Sequence, residues 1–258
     1  MGKADLHIHT IYSWDGTCTI EAVLKQAAHI AELDVIAITD HDEIRGALEA
    51  VDLAPRYGIE VIPGCEISTA DGHLLALFIQ NKIPAGLSAV ETVLRVQELG
   101  GLCIVPHLEA KYSHGMQGQV VRDALKDCRV QQTLLGMETF NAGLFDRSSN
   151  LKAVKLSQEL ALAKIGSSDS HMNWTIGYGI TSFPGHSAGD LRTAIERGIT
   201  VSYPVKNIPF ALILLGWLRG YFLRRAGWVE YNRHPEAPVR LERMPSLARF
   251  SGNRVVAN

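Results

Sequence analysis

Histidine and carboxylate residues recur along this chain in short clusters, each beside an apolar run. The first is Asp5-Leu6-His7-Ile8-His9-Thr10, with two imidazoles two residues apart. Alternate residues of an extended strand share a face, so His7 and His9 form a ready chelate. Asp15 follows in Ser13-Trp14-Asp15-Gly16. Further along come Thr39-Asp40-His41-Asp42, Gly64-Cys65-Glu66-Ile67-Ser68, His73 at the head of an apolar run, Pro106-His107, and Ser168-Asp169-Ser170-His171. Neutral imidazole with carboxylate suits Zn, Mn or Fe. The four cysteines (Cys18, Cys65, Cys103, Cys128) show no CxxC pairing and read as reduced and mostly buried, so they offer no thiolate cage. Nine candidate ligands (His7, His9, Asp15, His41, Glu66, His73, His107, Asp169, His171) exceed what one ion takes. Two to three divalent metal ions are therefore expected.

The elements that must bring these groups together alternate in type. Apolar, β-branched runs at 4–9, 35–39, 59–67, 73–79, 102–106, 135–140 and 163–167 read as seven strands. Helical periodicity fills segments between them. Residues 20–33 place Ile20, Val23, Leu24, Ala27 and Ala31 on one face. Residues 88–99 open with the capping box Ser88-x-x-Glu91. Segments 151–162 and 188–197 behave alike, and Gly198 terminates the last. Such alternation implies parallel pairing with right-handed crossovers, as a barrel or a large open sheet. Loops at the C-terminal strand ends of a parallel barrel form one mouth, which is where the clusters fall.

Six motifs in one order, from Asp5-Leu6-His7-x-His9 to Ser168-Asp169-x-His171, resemble those of the PHP (polymerase and histidinol phosphatase) family over about residues 4–200. The resemblance implies an α/β fold, a distorted (β/α)7 TIM-like barrel, with a trinuclear metal centre that hydrolyses phosphoesters. It further implies that His7, His9, Glu66 and Asp169 hold one ion and that a bridging Glu66 with His73 and His107 holds a second. Asp15, His41 and His171 would hold the third. Hydroxide bridging the metals would attack phosphorus, with Glu66, Asp169 and His171 at the catalytic centre. Asp5, Asp40 and Asp42 are expected to orient ligands. Substrate-facing positions are expected at Lys111, His114, Asn141 and Arg45. Glu138, within the sixth strand, either points into the barrel or forms a structural ion pair.

The chain has 258 residues, 47% of them apolar and 20% charged, so it supports a sizeable core. A net charge of -2 does not mark a nucleic-acid or membrane-surface protein. That balance is uneven. Residues 206–258 carry nine basic and three acidic side chains and an apolar run over 208–218, so the chain divides into a barrel at 1–205 and an extension at 206–258. The extension is expected to pack internally, to form a homodimer contact, to make a peripheral membrane contact or to dock beneath the barrel. The polar N-terminus lacks an export signal, and no apolar run reaches ~20 residues, so the expected location is cytoplasmic, with membrane association through the extension as a variant. The substrate expected is a small phosphorylated molecule, with a 3',5'-nucleoside bisphosphate, an RNA end or a short oligonucleotide among the candidates. Alternatives are a histidinol-phosphate-type phosphatase, an amidohydrolase, and a non-catalytic metal-bound scaffold.

Overall fold

The computed structural model describes residues 1–144, 147–206 and 209–227. Its sheet has nine strands: β1 Gly2–Asp5, β2 Val35–Ile38, β3 Glu60–Thr69, β4 Gly72–Leu77, β5 Leu102–Val105, β6 Leu134–Asn141, β7 Ala163–Ser167, β8 Gly179–Phe183 and β9 Val201–Pro204. Their order is β7-β6-β5-β4-β3-β2-β1-β8-β9. The two edges curl toward each other into a nearly closed barrel. Thr181 Oγ1 accepts from Gly166 N at 3.0 Å, and Thr139 Oγ1 donates to Ser202 Oγ at 2.7 Å. Gly166 permits the approach, since a Cβ there would lie 2.2 Å from Ile180 O.

The α/β barrel stands as expected, but the sheet is not wholly parallel and the count is nine rather than seven. Thr69 pairs with Gly72 across a two-residue turn, so β3 and β4 form a hairpin. A parallel crossover needs a dozen or more residues, and this connection has two. β4 also pairs antiparallel with β5, and β8 antiparallel with both β1 and β9. β8 and β9 escaped the sequence reading because β8 sets only Ile180 and Phe183 among Gly179, Thr181 and Ser182, and β9 is a mostly exposed edge strand ending in Pro204. The hairpin has a consequence for the site. Ser68 faces His73 in register, so a residue at the start of β4 reaches the rim where β3 ends.

Helices α1 Ile20–His29, α2 Arg45–Leu53, α3 Ala89–Glu98, α4 Gly118–Ala124, α5 Cys128–Gln131, α6 Ser148–Glu159 and α7 Ala188–Glu196 follow the strands. Thr19 caps α1 through its side chain, and the Ser88–Glu91 capping box opens α3. The largest core lies between sheet and helices and contains Ile20, Val23, Leu24, Ile36, Ile38, Val93 and Val105. A second core contains Ala4, Val35, Ala37, Ile62, Leu75, Leu77 and Ile165 together with Leu191, Ala194 and Ile195 of α7. Ala188 N donates to Glu60 Oε2 at 2.7 Å, at the start of β3, so α7 closes the end of the barrel opposite the ligand-bearing rim.

The chain ends its described part with α8 Phe210–Arg225. Ile213, Gly220 and Leu223 are buried and Gly216 is half-buried, a stripe at helical spacing that seats α8 on the barrel. Leu214, Leu215, Leu218, Tyr221 and Phe222 face outward. Among the described residues, no helix is long and apolar enough to cross a membrane. Ile208 and residues 228–258, with Arg233, Arg240, Arg243, Arg249 and Arg254 of the basic extension, lie outside the described residues.

Candidate metal centre

Glu66 stands near the end of β3 and is 1% exposed. Its Oε1 lies 2.8 Å from His73 Nδ1 and 2.8 Å from His107 Nε2. Its Oε2 lies 3.0 Å from His7 Nε2, 3.2 Å from His9 Nε2 and 3.3 Å from His41 Nδ1. One carboxylate therefore meets five imidazoles, two on one oxygen and three on the other. Asp169 Oδ1 is 3.4 Å from both His7 Nε2 and His9 Nε2. Asp15 Oδ2 is 3.0 Å from His171 Nε2 and 3.3 Å from His41 Nε2. All nine candidate ligands thus meet at one rim. Four overlapping sets have ligand atoms within 4.8 Å of one another: His9 with Asp15, His41 and His171; His7 with His9 and Glu66; His7 with His107 and Asp169; and His41 with Glu66 and His73.

Opposite charges dominate this cluster. Burial alone would raise the Glu66 carboxyl, but His41, His7 and His73 outweigh it and hold it well below the usual carboxylate range. Asp15 and Asp169 are held down in the same way, against burial, by His171 with His41 and by His7 with its neighbours respectively. Burial would lower the His41 imidazole, yet Glu66 and Asp15 carry it up to about 10. His171 rises to about 8 against burial, through Asp15.

The groups that hold the ligands differ from those anticipated. Asp5 accepts from Ser168 N and Gly177 N, Asp40 from Thr10 N and Oγ1, and Asp42 from Ser68 N. These three carboxylates tie down backbone at the rim rather than grip ligand imidazoles. Glu138 holds a ligand directly. Its Oε1 accepts from His7 Nδ1 at 2.8 Å and from the Ser167 hydroxyl, while its Oε2 accepts from His107 N and Asn141 Nδ2, both at 2.9 Å. That fixes the His7 tautomer with Nε2 free to ligate. The signal for Glu138 was a lone charge in an otherwise apolar strand, which burial requires to be paired. Ser13 Oγ lies 3.3 Å from His9 Nδ1. His107 and Asp169 also occupy left-handed backbone at φ 28° and 51°, conformations that non-glycine residues adopt at a cost, as happens at built sites.

A cavity opens over the cluster, lined by Trp14, Tyr112, Ser113, His114, Met172, Ile213 and Gly216 as well as by the ligand residues. Of the expected substrate-facing residues, His114 lines it, with its ring 5.4 Å from that of His73. Asn141 sits beside it, its Nδ2 shared between Glu138 Oε2 and Asp169 Oδ2, the latter at 3.1 Å. Lys111 is exposed on the loop before Tyr112. Arg45 turns toward Glu43, with Nη2 2.6 Å from Oε2. Through Ile213 and Gly216, α8 reaches the mouth rather than the underside of the barrel.

The donor set fits divalent ions. His9 Nε2, His41 Nδ1 and His107 Nδ1 are buried with no hydrogen-bond partner among the described residues, an arrangement that costs free energy unless something else binds there. Three carboxylates and six imidazoles without a thiolate match Mn, Zn or Fe in type.

Comparison with known proteins agrees. The PHP domain matches residues 5–164 and the PHP-associated domain matches 147–200. An uncharacterized protein of Methanocaldococcus jannaschii is 41% identical over 150 residues, covering 54% of this chain and 82% of that one. A phosphoribosyl 1,2-cyclic phosphate 1,2-diphosphodiesterase of Eggerthella lenta is 30% identical over 52% of this chain and 53% of its own. A 3',5'-nucleoside bisphosphate phosphatase of Chromobacterium violaceum is 35% identical over 36% of this chain and 33% of its own. A crystal structure from Bifidobacterium adolescentis, provisionally described as a metal-dependent phosphoesterase, superposes with a TM-score of 0.56 at 16% identity over 81% of this chain and 97% of its own. The matched family models span the residues that build the rim, and the chain belongs to the PHP family of metal-dependent phosphoesterases.

Proposed function

We propose that the protein hydrolyses a small phosphoester at a centre of up to three divalent ions. The observation that carries this reading is Glu66, whose two oxygens face separate imidazole groups as a bridging carboxylate must. His73 and His107 serve one side of it, His7 and His9 with Asp169 the other, and Asp15, His41 and His171 complete the outer position. Bound ions would supply an ionised water near neutral pH and positive charge for the phosphoryl oxygens. Glu138 keeps His7 in its ligating tautomer. Asn141 holds Asp169, and His114 stands where it can donate to a phosphoryl oxygen. Lys111 is exposed on the loop that carries Tyr112 and His114, outside the lining of the cavity, so it would act on an anionic substrate only during approach. Arg45, engaged by Glu43, steadies the start of α2. Residues 1–205 form the hydrolase, and the extension from 206 onward is an accessory whose helix α8 shapes its mouth.

Among the described lining residues there is no lysine, so an amidohydrolase built on a carboxylated lysine lacks its ligand here. The relatives named for a cyclic phosphodiester and a nucleoside bisphosphate support a phosphorylated small molecule as substrate. The test is phosphate release from a panel of phosphate mono- and diesters by protein loaded in turn with Mn, Zn and Fe. Turnover that requires metal and vanishes in Glu66→Gln is expected. Metal-replete protein that turns over none of the panel would overturn the assignment.

A further inference from the structure

The mouth of the cavity is asymmetric, and α8 causes it. The floor is the ligand cluster. Above it stand Trp14, Tyr112, Met172 and Ile213, with the bare backbone of Gly216. The two threonine hydroxyls of the lining are committed elsewhere: Thr17 Oγ1 donates to His171 O at 2.8 Å, and Thr175 Oγ1 to Met172 O at 2.8 Å. No lysine or arginine lines the cavity among the described residues. The helix is pressed close. A Cβ on Gly216 would lie 1.9 Å from Met172 Sδ, so glycine lets α8 and Met172 share this wall. Ile213 is 7% exposed and packs with Ala142, Phe140 and Tyr178, which fixes its place at the rim. The space itself is about 170 Å³, below the ~300–1,000 Å³ usual for drug-sized ligands.

We propose that Ile213 and Gly216 of α8, with Met172, form a specificity wall that selects phosphoesters with a small, uncharged, apolar or aromatic leaving group. A leaving group carrying a second phosphate would have to desolvate that charge against Ile213 and Met172 with no cation on the wall to meet it. An aromatic or aliphatic group buries apolar area there and can lie against Trp14 or Tyr112. The specificity assignment rests on the phosphoesterase reading and adds the leaving group to it. α8 itself contributes no ligand, so its role is selection rather than chemistry.

The test uses the full-length, metal-loaded chain and two kinds of measurement. Calorimetry compares phenylphosphonate, which is not hydrolysed, with inorganic phosphate. Kinetics compares phenyl phosphate with adenosine 3',5'-bisphosphate. The wild type is expected to bind phenylphosphonate at least tenfold more tightly than phosphate, and to favour phenyl phosphate at least tenfold in kcat/KM. Ile213→Arg should erase both preferences, because the cation it adds meets phosphate and the second phosphate of the bisphosphate alike. Ile213→Ala, a milder change should the arginine variant not fold, should weaken phenylphosphonate three- to tenfold, with the kinetic loss in KM rather than kcat. Leu215→Arg, on the outward face, should change neither. Equal binding of the two anions, a wild-type preference for the bisphosphate, or unchanged ratios in both Ile213 variants would overturn the wall. Selective phenylphosphonate binding without any hydrolysis would instead keep the wall and sink the phosphoesterase reading.

Discussion

The two sides of the metal centre are built differently. The Glu66 side rests on strands and strand ends. Glu66, His7 and His107 are at most 2% exposed, and His7 is clamped from behind by Glu138, which also holds the His107 backbone. The Asp15 side rests on loops. Asp15 comes from the turn after β1, and His171, with a side chain 25% exposed, from the loop after β7. A ligand whose rotamer is locked by packing and a fixed partner binds without further ordering, whereas a loop ligand must be ordered on binding. Ions held by the two sides should therefore not be equivalent: tight and catalytic at Glu66, weaker and exchangeable at Asp15.

The sharpest way to break that comparison is Glu66→Gln. It keeps the volume and removes the charge that faces five imidazoles. Activity should fall by more than about 10²-fold, and elemental analysis should find at least two ions lost per chain. Unpaired imidazolium left in the interior should also destabilise metal-free protein by about 3–5 kcal/mol, read by denaturant unfolding. If Glu66→Gln retained all its metal, the bridging role would be wrong.

Glu138→Gln tests the scaffold behind the tight side. The amide can still accept from one backbone N–H but no longer offers a charge to His7 Nδ1. Metal affinity or kcat should drop by about 10–100-fold. A change confined to folding stability, with affinity intact, would make Glu138 a core residue only.

Much of this arrangement was legible before any coordinates. The convergence of the nine candidate ligands was readable because imidazole and carboxylate at strand ends have few other uses, and the strands β2 and β5 were readable from continuous apolar runs buried on both faces. The hairpin β3–β4 was encoded in its two-residue turn, and a parallel reading overlooked it. Glu138 was visible as a charge in an apolar strand, but the ring it meets lies 131 positions away in sequence. The place of α8 was not legible. Its residues are apolar on nearly every side, so periodicity gave no face, and the seat is chosen by Gly216 and Gly220, whose lack of side chain is silent in a hydrophobic pattern.

Asp15→Asn probes the loop side. It should release one ion per chain at micromolar free metal while the ions at Glu66 stay, and cost less activity than Glu66→Gln. Loss of all ions together would show that the two sides form a single cooperative site.

The smallest effect expected is a pH dependence of metal stabilisation, and its sign follows from the cluster. In metal-free protein the nearby carboxylates raise His41 to about 10 and His171 to about 8, each against burial. Their ion pairs stabilise the fold fully below the unfolded imidazole value near ~6.5 and are lost as pH rises through about 8 and then about 10. The carboxylates of Asp15, Glu66 and Asp169, held low, contribute above about pH 4 and so stay constant over this window. Metal must displace the imidazole protons, so binding strengthens as they leave. The melting temperature of metal-free protein should therefore fall between pH 6 and pH 9, and the gain on adding Mn should grow over the same range. Differential scanning calorimetry with and without Mn at pH 6, 7.5 and 9 reads both trends. Asp15→Asn should flatten them in part, because it removes the partner shared by His41 and His171 while Glu66 still faces His41. A gain independent of pH in the parent protein would mean that these imidazoles do not bind the ions, and that the loop side of the centre is an ion-pair network instead.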